Sequence, residues 1–131
     1  KREMLKSLSE KDLSENLRML KESNFISSGT AHDLSELKKM DGQFDIILIS
    51  PLFDSISKKE YLGNWDLDNL KTFTDKRTSK TSLLIGQSGI NNQNISIIQS
   101  LGLDGYALLG YLWNTNDDII QKFKQICHGG R

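Results

Sequence analysis

The feature that most constrains the fold is the alternation of two hydrophobic periodicities along the chain. Four short apolar stretches typical of strands begin near residues 25, 45, 82 and 105, and each is followed by apolar residues at helical spacing. Strands that alternate with helices are joined by crossovers, which demands a parallel sheet with right-handed connections. The sequence therefore predicts an α/β fold of four parallel βα units.

Capping signals indicate where the helices begin. Ser9 stands three residues before Asp12, a carboxylate variant of the capping box, and leucines at helical spacing follow. Asp33 and Glu36 repeat this spacing ahead of the second helix, and Asp66 opens the third. We therefore expect a leading helix over about 10–22, within an N-terminal segment 1–24.

The last helix has an acidic start and an apolar face. Asp117 and Asp118 suit the positive end of a helix that opens near Thr115. Residues 128–131 are expected to form a flexible tail after it. The face predicted to point inward carries Ile119, Ile120, Phe123 and Ile126.

Four strands are expected at 25–29, 45–50, 82–85 and 105–109. The second is a continuous β-branched apolar run, typical of a strand covered on both faces, and Pro51 ends it. Gly42 and Gly102 stand where the preceding helices should stop.

Two parallel topologies fit this order: an open doubly wound sheet and a segment of a (β/α)8 barrel. The chain has 131 residues, whereas a complete eight-stranded barrel usually takes about 200 or more. Half a barrel fits, as one unit spanning 1–131 with its four βα units in 25–127. Strand order separates the alternatives, because an open sheet reverses its order and a barrel does not.

Charge and cysteine content narrow the function classes. The 17 Lys+Arg residues balance 17 Asp+Glu, so the chain lacks the basic excess with which nucleic-acid binders and peripheral membrane proteins gather phosphates. Cys127 is the single cysteine, which favours a reducing compartment. The apolar runs are far shorter than the ~20 residues that span a bilayer. We expect a cytoplasmic protein that binds neither nucleic acid nor membrane.

The long loop after the second strand, Leu52–Trp65, carries the first candidate site. Ser55, Ser57 and Lys58 combine two hydroxyls with a positive charge, which suits a phosphate group. Loops at the carboxyl ends of parallel strands commonly hold functional residues. A solvated polar loop is the alternative interpretation.

Glycines follow the next two strands. Ser88 and Gly89 come before a helix, and Leu109 and Gly110 end the fourth strand. Glycine lets the backbone approach a ligand, and backbone N–H groups bind anions. One such turn is weak evidence, because many βα turns contain glycine. Two on successive strands match the arrangement of a common phosphate site in barrel enzymes.

Isolated residues have functional and structural interpretations side by side. His32, just past the first strand, suits acid–base chemistry, and a turn histidine bonded to nearby backbone is the alternative. Asp54 suits a metal, but beside two lysines it is better explained as a charge partner or loop cap. Trp65 and Trp113 are expected to be packing residues. The chain has no Walker A, GxGxxG, GxSxG or HExxH pattern, which disfavours kinase, dinucleotide and hydrolase chemistries.

Four segments at the strand ends carry a family resemblance: Thr30–His32, Phe44–Lys59, Gly89–Ile90 with Asn94, and Asp104–Gly110. In order and spacing they resemble thiamine phosphate synthase and its thiazole tautomerase relatives, over about 30 to 113. The most specific part is the Ser-Pro-x-Phe-x-Ser-x-Ser-Lys pattern. The resemblance implies a (β/α)8 TIM barrel, of which this chain would be the C-terminal half, strands five to eight with the preceding helix.

The resemblance also implies an activity in thiamine biosynthesis. Family members are transferases that join a hydroxymethylpyrimidine pyrophosphate to a thiazole phosphate with Mg²⁺, through loss of pyrophosphate and attack by the thiazole nitrogen. Stabilising the departing pyrophosphate is electrostatic work. Carried over to this chain, the catalytic residues would be Lys58 and Ser57. Thr30, Ser55, Ser57 and Lys58 would hold the pyrophosphate, and Gly89, Leu109 and Gly110 would hold the thiazole phosphate through backbone amides. His32 and Ser88 would be further substrate-binding residues.

The sequence departs from the family at two positions. Ser88 replaces the first glycine of the usual Gly-Gly-Ile, so close backbone approach is in question there. Pro51 stands where the tautomerase relatives have a catalytic histidine, which lowers the tautomerase interpretation. A non-catalytic phosphate-binding or regulatory half-barrel is the alternative function, and an open flavodoxin-like interaction module is a third.

The expected partners follow from what half a barrel lacks. The family's metal-binding aspartates belong to earlier strands, so we expect no metal ligand in this chain. Four parallel strands cannot close a barrel, and they expose two edges and an apolar inner face. Besides phosphorylated small-molecule substrates, we expect as partner either a homo-oligomer or a missing N-terminal half-barrel.

Overall fold

The computed structural model describes residues 9–56, 62–78, 80–113 and 117–129. Within these ranges helices and strands alternate as the sequence predicts. The elements are α1 (Glu10–Glu22), β1 (Ser28–Ala31), α2 (Leu34–Met40), β2 (Ile46–Ile49), α3 (Leu67–Lys76), β3 (Leu83–Gln87), α4 (Ile95–Ser100), β4 (Gly105–Ala107), α5 (Gly110–Trp113) and α6 (Ile119–Gly129).

The four described strands form one parallel sheet in the order β1-β2-β3-β4. Thr30 of β1 lies opposite Leu48 of β2, and Leu48 lies opposite Ile85 of β3. Ile85 in turn lies opposite Gly105 of β4. Neighbours in space are therefore neighbours in sequence, without the reversal that marks a doubly wound sheet. The barrel-type arrangement is the one the chain adopts.

The predicted caps hold the first turns of three helices. The Ser9 hydroxyl accepts a hydrogen bond from the amide of Asp12 at 3.2 Å. The Asp33 carboxylate accepts from the amide of Glu36 at 2.8 Å, and Asp66 caps α3 in the same way at 3.0 Å. Each bond satisfies a backbone donor that has no partner within its helix. Local sequence therefore accounts for where α1, α2 and α3 begin.

The first strand begins later than predicted. It starts at Ser28 rather than residue 25, and Phe25 and Ile26 are 65% and 75% exposed. The Asp45 carboxylate accepts hydrogen bonds from the amide and hydroxyl of Ser27 at 2.7 and 2.8 Å. This clamp fixes the point at which the chain enters the sheet, and leaves the two apolar residues before it outside.

Two elements near the C-terminus also differ from the prediction. β4 stops at Ala107, because the chain then turns into the short helix α5, in which the amide of Trp113 donates to the carbonyl of Leu109 at 3.0 Å. Trp113 is 66% exposed, so the expectation that it packs is wrong within the described chain. The last helix runs to Gly129, so the tail predicted over 128–131 would begin inside it.

The core lies between the helices and one face of the sheet, here called the outer face. Every second strand residue points to this face. Ala31, Ile47, Ile49 and Leu84 are fully buried there. The residues packed with them from the helices and connections are Leu37, Phe44, Leu52, Leu70, Ile90, Ile98 and Leu101.

The opposite face of the sheet, here called the inner face, is much less covered. Leu83 is 49% exposed although β3 is paired on both sides. Ile46 and Leu48 are half-buried and lie outside the core. The sequence predicts a β2 strand covered on both faces, but its inner face is less covered than its outer face. The reason is that this face corresponds to the interior of a barrel, which the strands of other units would fill.

Most of the face of α6 that was predicted to point inward is exposed instead. Ile126 is buried, but Ile119, Ile120 and Phe123 are 36%, 64% and 54% exposed. An apolar helix face of this kind normally packs on a sheet. The apolar face of α6 is therefore exposed for the same reason as the inner face of the sheet. The described chain does not supply enough strands to cover either of them.

The amino-terminal end of the sheet is held by a buried cation. The side chain of Arg77 is 6% exposed, and its Nε and Nη2 donate to the Asp41 carboxylate at 3.0 and 2.7 Å. Its Nη2 also donates to the Ser82 carbonyl, and Asp104 lies 3.8 Å from Nη1. In barrels this end serves stability, and the site lies at the other end.

Among the described helices, none has both the length and the apolar character needed to cross a membrane.

Candidate functional site

The loop after β2 lies against the end of β3. The amide of Leu52 donates to the carbonyl of Gln87 at 2.9 Å, and the amide of Phe53 donates to the carbonyl of Ser88 at 3.2 Å. These bonds extend the β2–β3 pairing past the cis peptide bond between Ser50 and Pro51. As a result, two of the sequence-predicted loops meet at the carboxyl ends of the strands.

The turn after β3 has a backbone shape that favours glycine. Ser88 has φ +80° and Gly89 has φ +69°. Ser88 therefore takes a glycine-like conformation despite its side chain, at a cost of about 1–2 kcal/mol. Its replacement of the family's glycine does not prevent the turn.

Gly89 is also required by space. A Cβ atom at this position would lie 2.7 Å from Cβ of Phe53 and would overlap the carbonyl oxygen of Asp54. Asn94 fixes the turn from the helix side, because its Nδ2 donates to the Gly89 carbonyl at 2.9 Å and its Oδ1 accepts from the Asn91 amide at 3.0 Å. The backbone of the β3 turn is thus set directly beneath the β2 loop.

Asp54 closes the base of that loop. Its Oδ1 accepts a hydrogen bond from the amide of Gly63 at 2.8 Å, which confirms the interpretation as a loop cap. Ser55, within the loop, is half-buried. Ser57 and Lys58 lie outside the described residues, so their roles stay predictions.

His32 joins the ends of β1 and β2. Its Nδ1 lies 2.7 Å from the carbonyl oxygen of Ser50, and its amide donates to the Glu36 carboxylate at 2.8 Å. These contacts match the second interpretation of His32, as a turn histidine that is hydrogen-bonded to backbone. Because a carbonyl only accepts, Nδ1 carries the proton and the ring orientation is fixed. Thr30 lies two residues earlier, on the inner face and half-buried.

The predicted turn after β4 is shaped by α5. Leu109 is 67% exposed, and Gly110 is the first residue of that four-residue helix. Both follow the edge strand β4, next to β3 in the sheet. The carboxyl ends of all four strands therefore carry predicted site residues along one rim, namely Thr30, His32, Ser55, Ser88, Gly89, Leu109 and Gly110.

A cavity of about 390 Å³ opens between the β2 loop and the β3 turn. Phe53, Asp54, Trp65, Gly89 and Asn94 are among its lining residues. The indole nitrogen of Trp65 is buried and has no hydrogen-bond partner in the described chain. Trp65 also packs against the core, as the sequence predicts.

The rim does not by itself fit a magnesium ion. In the part of the chain that the structure describes, no three Asp, Glu, His or Cys side chains are grouped so that they could hold a metal. The nearby carboxylates of Asp54 and Glu36 already accept hydrogen bonds from backbone amides. Oxygen ligands for Mg²⁺ would have to come from elsewhere.

The fold of the described chain has counterparts among solved structures. The chain is similar in structure to thiamine phosphate pyrophosphorylase, also called thiamine phosphate synthase. With the Bacteroides thetaiotaomicron protein it shares 22% identity and a TM-score of 0.63, over 81% of this chain and 53% of that one. With the Pyrococcus furiosus protein it shares 17% identity and a TM-score of 0.66, over 87% and 54%.

The similarity is one of fold, at low sequence identity. The chain spans about half the length of both solved structures, so its four parallel βα units correspond to about half of that barrel. No protein-family model matches the sequence, and no curated protein does. The expectation that the matching half is the C-terminal one stays a prediction.

Sequence reasoning missed the contacts that assemble the rim. The Asp54–Gly63 bond joins residues nine apart across a loop, and the His32–Ser50 bond joins two strand ends. Both depend on where the chain returns in space, which local spacing does not encode. For Asn94 the sequence did offer a signal. Asn94 follows Asn91 by three residues at the start of a helix, and asparagine is common at helix N-caps.

Proposed function

We propose that the chain supplies the phosphate- and pyrophosphate-binding part of a thiamine phosphate synthase-like transferase. The observation that carries this proposal is the joint between the β2 loop and the β3 turn, where Gly89 lies beneath Phe53 and Asp54. The joint lies at the carboxyl ends of parallel strands, the usual place for phosphate sites in barrel enzymes. The structural similarity to two thiamine phosphate pyrophosphorylases supports it.

In the proposed reaction the hydroxymethylpyrimidine pyrophosphate first loses pyrophosphate, and the thiazole nitrogen then attacks its methylene carbon. The bond from that carbon to the pyrophosphate oxygen breaks, and pyrophosphate leaves with the electron pair. Negative charge therefore grows on the departing group, and donors set around it in advance lower the barrier. Lys58 and Ser57 would act on this group, with Thr30, His32 and Ser55 as further contacts on the same rim.

The thiazole phosphate would lie at the glycine turns after β3 and β4. In our proposal it contacts backbone amides at Ser88, Gly89, Leu109 and Gly110. The positive φ angles of Ser88 and Gly89 support this role, because turns with such residues form concavities of backbone N–H groups that bind anions.

Catalysis by this proposal needs groups beyond the described chain. The Mg²⁺ that the family uses would find its ligands on a further set of βα units, and the rim of four strands offers half a site. A cytoplasmic location remains part of the prediction.

A non-catalytic phosphate-binding or regulatory half-barrel is the second candidate. Such a protein would bind the anion and show no turnover when supplied with a complementary half-barrel and both substrates. A tautomerase-like function is disfavoured by Pro51, which has no proton to transfer.

Isothermal titration with pyrophosphate tests the proposal. Wild-type chain should bind, and Lys58→Ala should weaken binding by about tenfold, as expected for loss of one charge-assisted contact. Lys38→Ala, which removes an exposed lysine on α2, is the matched control and should bind like wild type. Absence of binding by the wild-type chain, or equal losses in both variants, would overturn it.

A further inference from the structure

The helices of this chain specify what can complete the sheet. A (β/α)8 barrel has eight strands and eight outer helices, one over each junction between neighbouring strands. The chain supplies four strands, and α2, α3 and α4 connect them in turn. Two further helices of more than one turn flank this set: α1 precedes β1, and α6 follows β4 after the one-turn helix α5.

Both flanking helices belong to junctions whose second strand is missing from the described chain. α2 contacts both β1 and β2, so it covers the junction between them. In right-handed crossovers α1 then falls on the free side of β1, and α6 on the free side of β4. In each of these two helices some apolar residues are buried and others are exposed, as expected when the second strand of the junction is missing. Leu13 and Leu17 of α1 pack on the core, whereas Met19 and Leu20 are 56% and 41% exposed.

α6 repeats this pattern at the other edge. Ile126 is buried, while Ile120 and Phe123 are exposed. Together with half-exposed Leu83 on the inner face, these residues form three apolar regions around one sheet: the inner face, the α1 edge and the α6 edge. Only an occupant that pairs with β1 and β4 and closes a barrel would cover all three.

We propose that the occupant is a segment of four parallel strands with three helices between them, and with no helix of its own beyond either end strand. Its last strand would pair with β1 beneath α1, and its first strand would pair with β4 beneath α6. The helix count decides this. A second copy of the chain would bring its own α1 and α6, so two helices would compete for each of the two edge junctions.

The similar structures support the size of this occupant. The chain corresponds to 53% and 54% of their lengths, so the parts that it does not cover are slightly less than half. A complement with fewer helices than this chain is expected to be the shorter part. The proposal concerns assembly, so it is measured without any ligand, and its failure is distinct from failure of phosphate binding.

The test uses the part of the Pyrococcus furiosus protein that this chain does not match, in two versions. One ends at its terminal strands, and the other extends through the next helix of that protein. With the 131-residue chain, the short version should form a 1:1 complex by light scattering and lower the fluorescence of an apolar dye bound to the chain alone. The longer version should bind at least about tenfold more weakly, because its extra helix meets one that is already in place.

Variants of the chain locate the contact. Leu83→Lys on the inner face and Phe123→Lys on α6 should each weaken complex formation by at least about tenfold, because they bury an unpaired charge. Both residues are exposed in the free chain, so folding should persist, as circular dichroism would verify. Ile97→Lys, at an exposed isoleucine of α4, is the matched control and should bind like wild type.

Three results would overturn the proposal. The first is a stable dimer of the isolated chain that Leu83→Lys dissociates, which would make the occupant a second copy. The second is equal binding of the two versions. The third is a chain that binds neither version, whether or not it binds the apolar dye, which would mean that an occupant of this composition does not cover the face.

Discussion

The amide of Phe53 donates to the carbonyl oxygen of Ser88 across 3.2 Å, so the chain leaving β2 is still paired with the chain leaving β3. Gly89 follows, and its lack of a side chain lets the β3 turn lie beneath the β2 loop. The proposed binding rim depends on this joint, because it brings the start of the loop after β2 against the turn after β3.

Replacing Gly89 should damage this joint more than its backbone angle alone would predict. Gly89→Ala should lower the free energy of unfolding by about 2 kcal/mol or more, because a left-handed alanine is combined with overlap against Phe53 and Asp54. Gly42→Ala is the control, with a similar φ of +83° but no contact closer than 3.8 Å, and should lose about 1 kcal/mol. Urea unfolding measures both. Equal losses would show that the close approach is relieved.

Arg77 should be the most sensitive charged residue of the described chain. Arg77→Met leaves the Asp41 carboxylate and the Ser82 carbonyl without their partner in a buried setting, and should cost about 3–5 kcal/mol. Arg18→Met removes a pair with Glu22 whose side chains are 67% and 62% exposed, and should change stability by about 0.5 kcal/mol or less. Denaturant midpoints compare the two. A small loss of stability in Arg77→Met would contradict the view that the amino-terminal end of the sheet stabilises the fold.

Stability should fall in acid partly through Asp45. The amide and then the hydroxyl of Ser27 donate to its carboxylate, which holds the pKa of Asp45 below its ordinary value. A lowered folded-state pKa means that the stabilisation is present above the unfolded value of about 3.9 and is lost as pH falls through the folded value. Wild type should therefore exceed Asp45→Asn in urea midpoint at about pH 6, and the gap should shrink as pH falls below about 4. A gap that is independent of pH would rule out this cause.

The imidazole of His32 should occur as the Nδ1–H tautomer whenever it is neutral. The Ser50 carbonyl 2.7 Å from Nδ1 accepts but cannot donate, so the proton must lie on Nδ1. Nitrogen-15 chemical shifts of the ring distinguish the tautomers directly. Finding the proton on Nε2 would mean that His32 does not tie the two strand ends together.

Local sequence was sufficient for the parts of the fold that rest on local forces. Ser9, Asp33 and Asp66 each cap the helix that follows, because the bond they make is within three residues. The parallel orientation of the strands also follows from the alternation of elements, whereas the strand order does not, because an open doubly wound sheet fits the same alternation.

What the sequence did not predict depends on surfaces rather than on spacing. Ile119, Ile120 and Phe123 have the periodicity of an inward face, yet they are exposed, because periodicity predicts which side is apolar and not whether anything covers it. β1 begins at Ser28 because Asp45, far along the chain, clamps Ser27. Residues 57–61, which contain Ser57 and Lys58, lie outside the described ranges, so that part of the candidate site still rests on the sequence.

The central claim is that the carboxyl-end rim binds phosphate groups, and amide chemical shifts during a pyrophosphate titration test it most directly. The account predicts saturable shifts for the amides of Ser55, Ser88, Gly89 and Gly110, and none for Gly42, Ser82 and Leu84 at the opposite end of the sheet. Shifts confined to the opposite end, or no saturable shift at all, would contradict it.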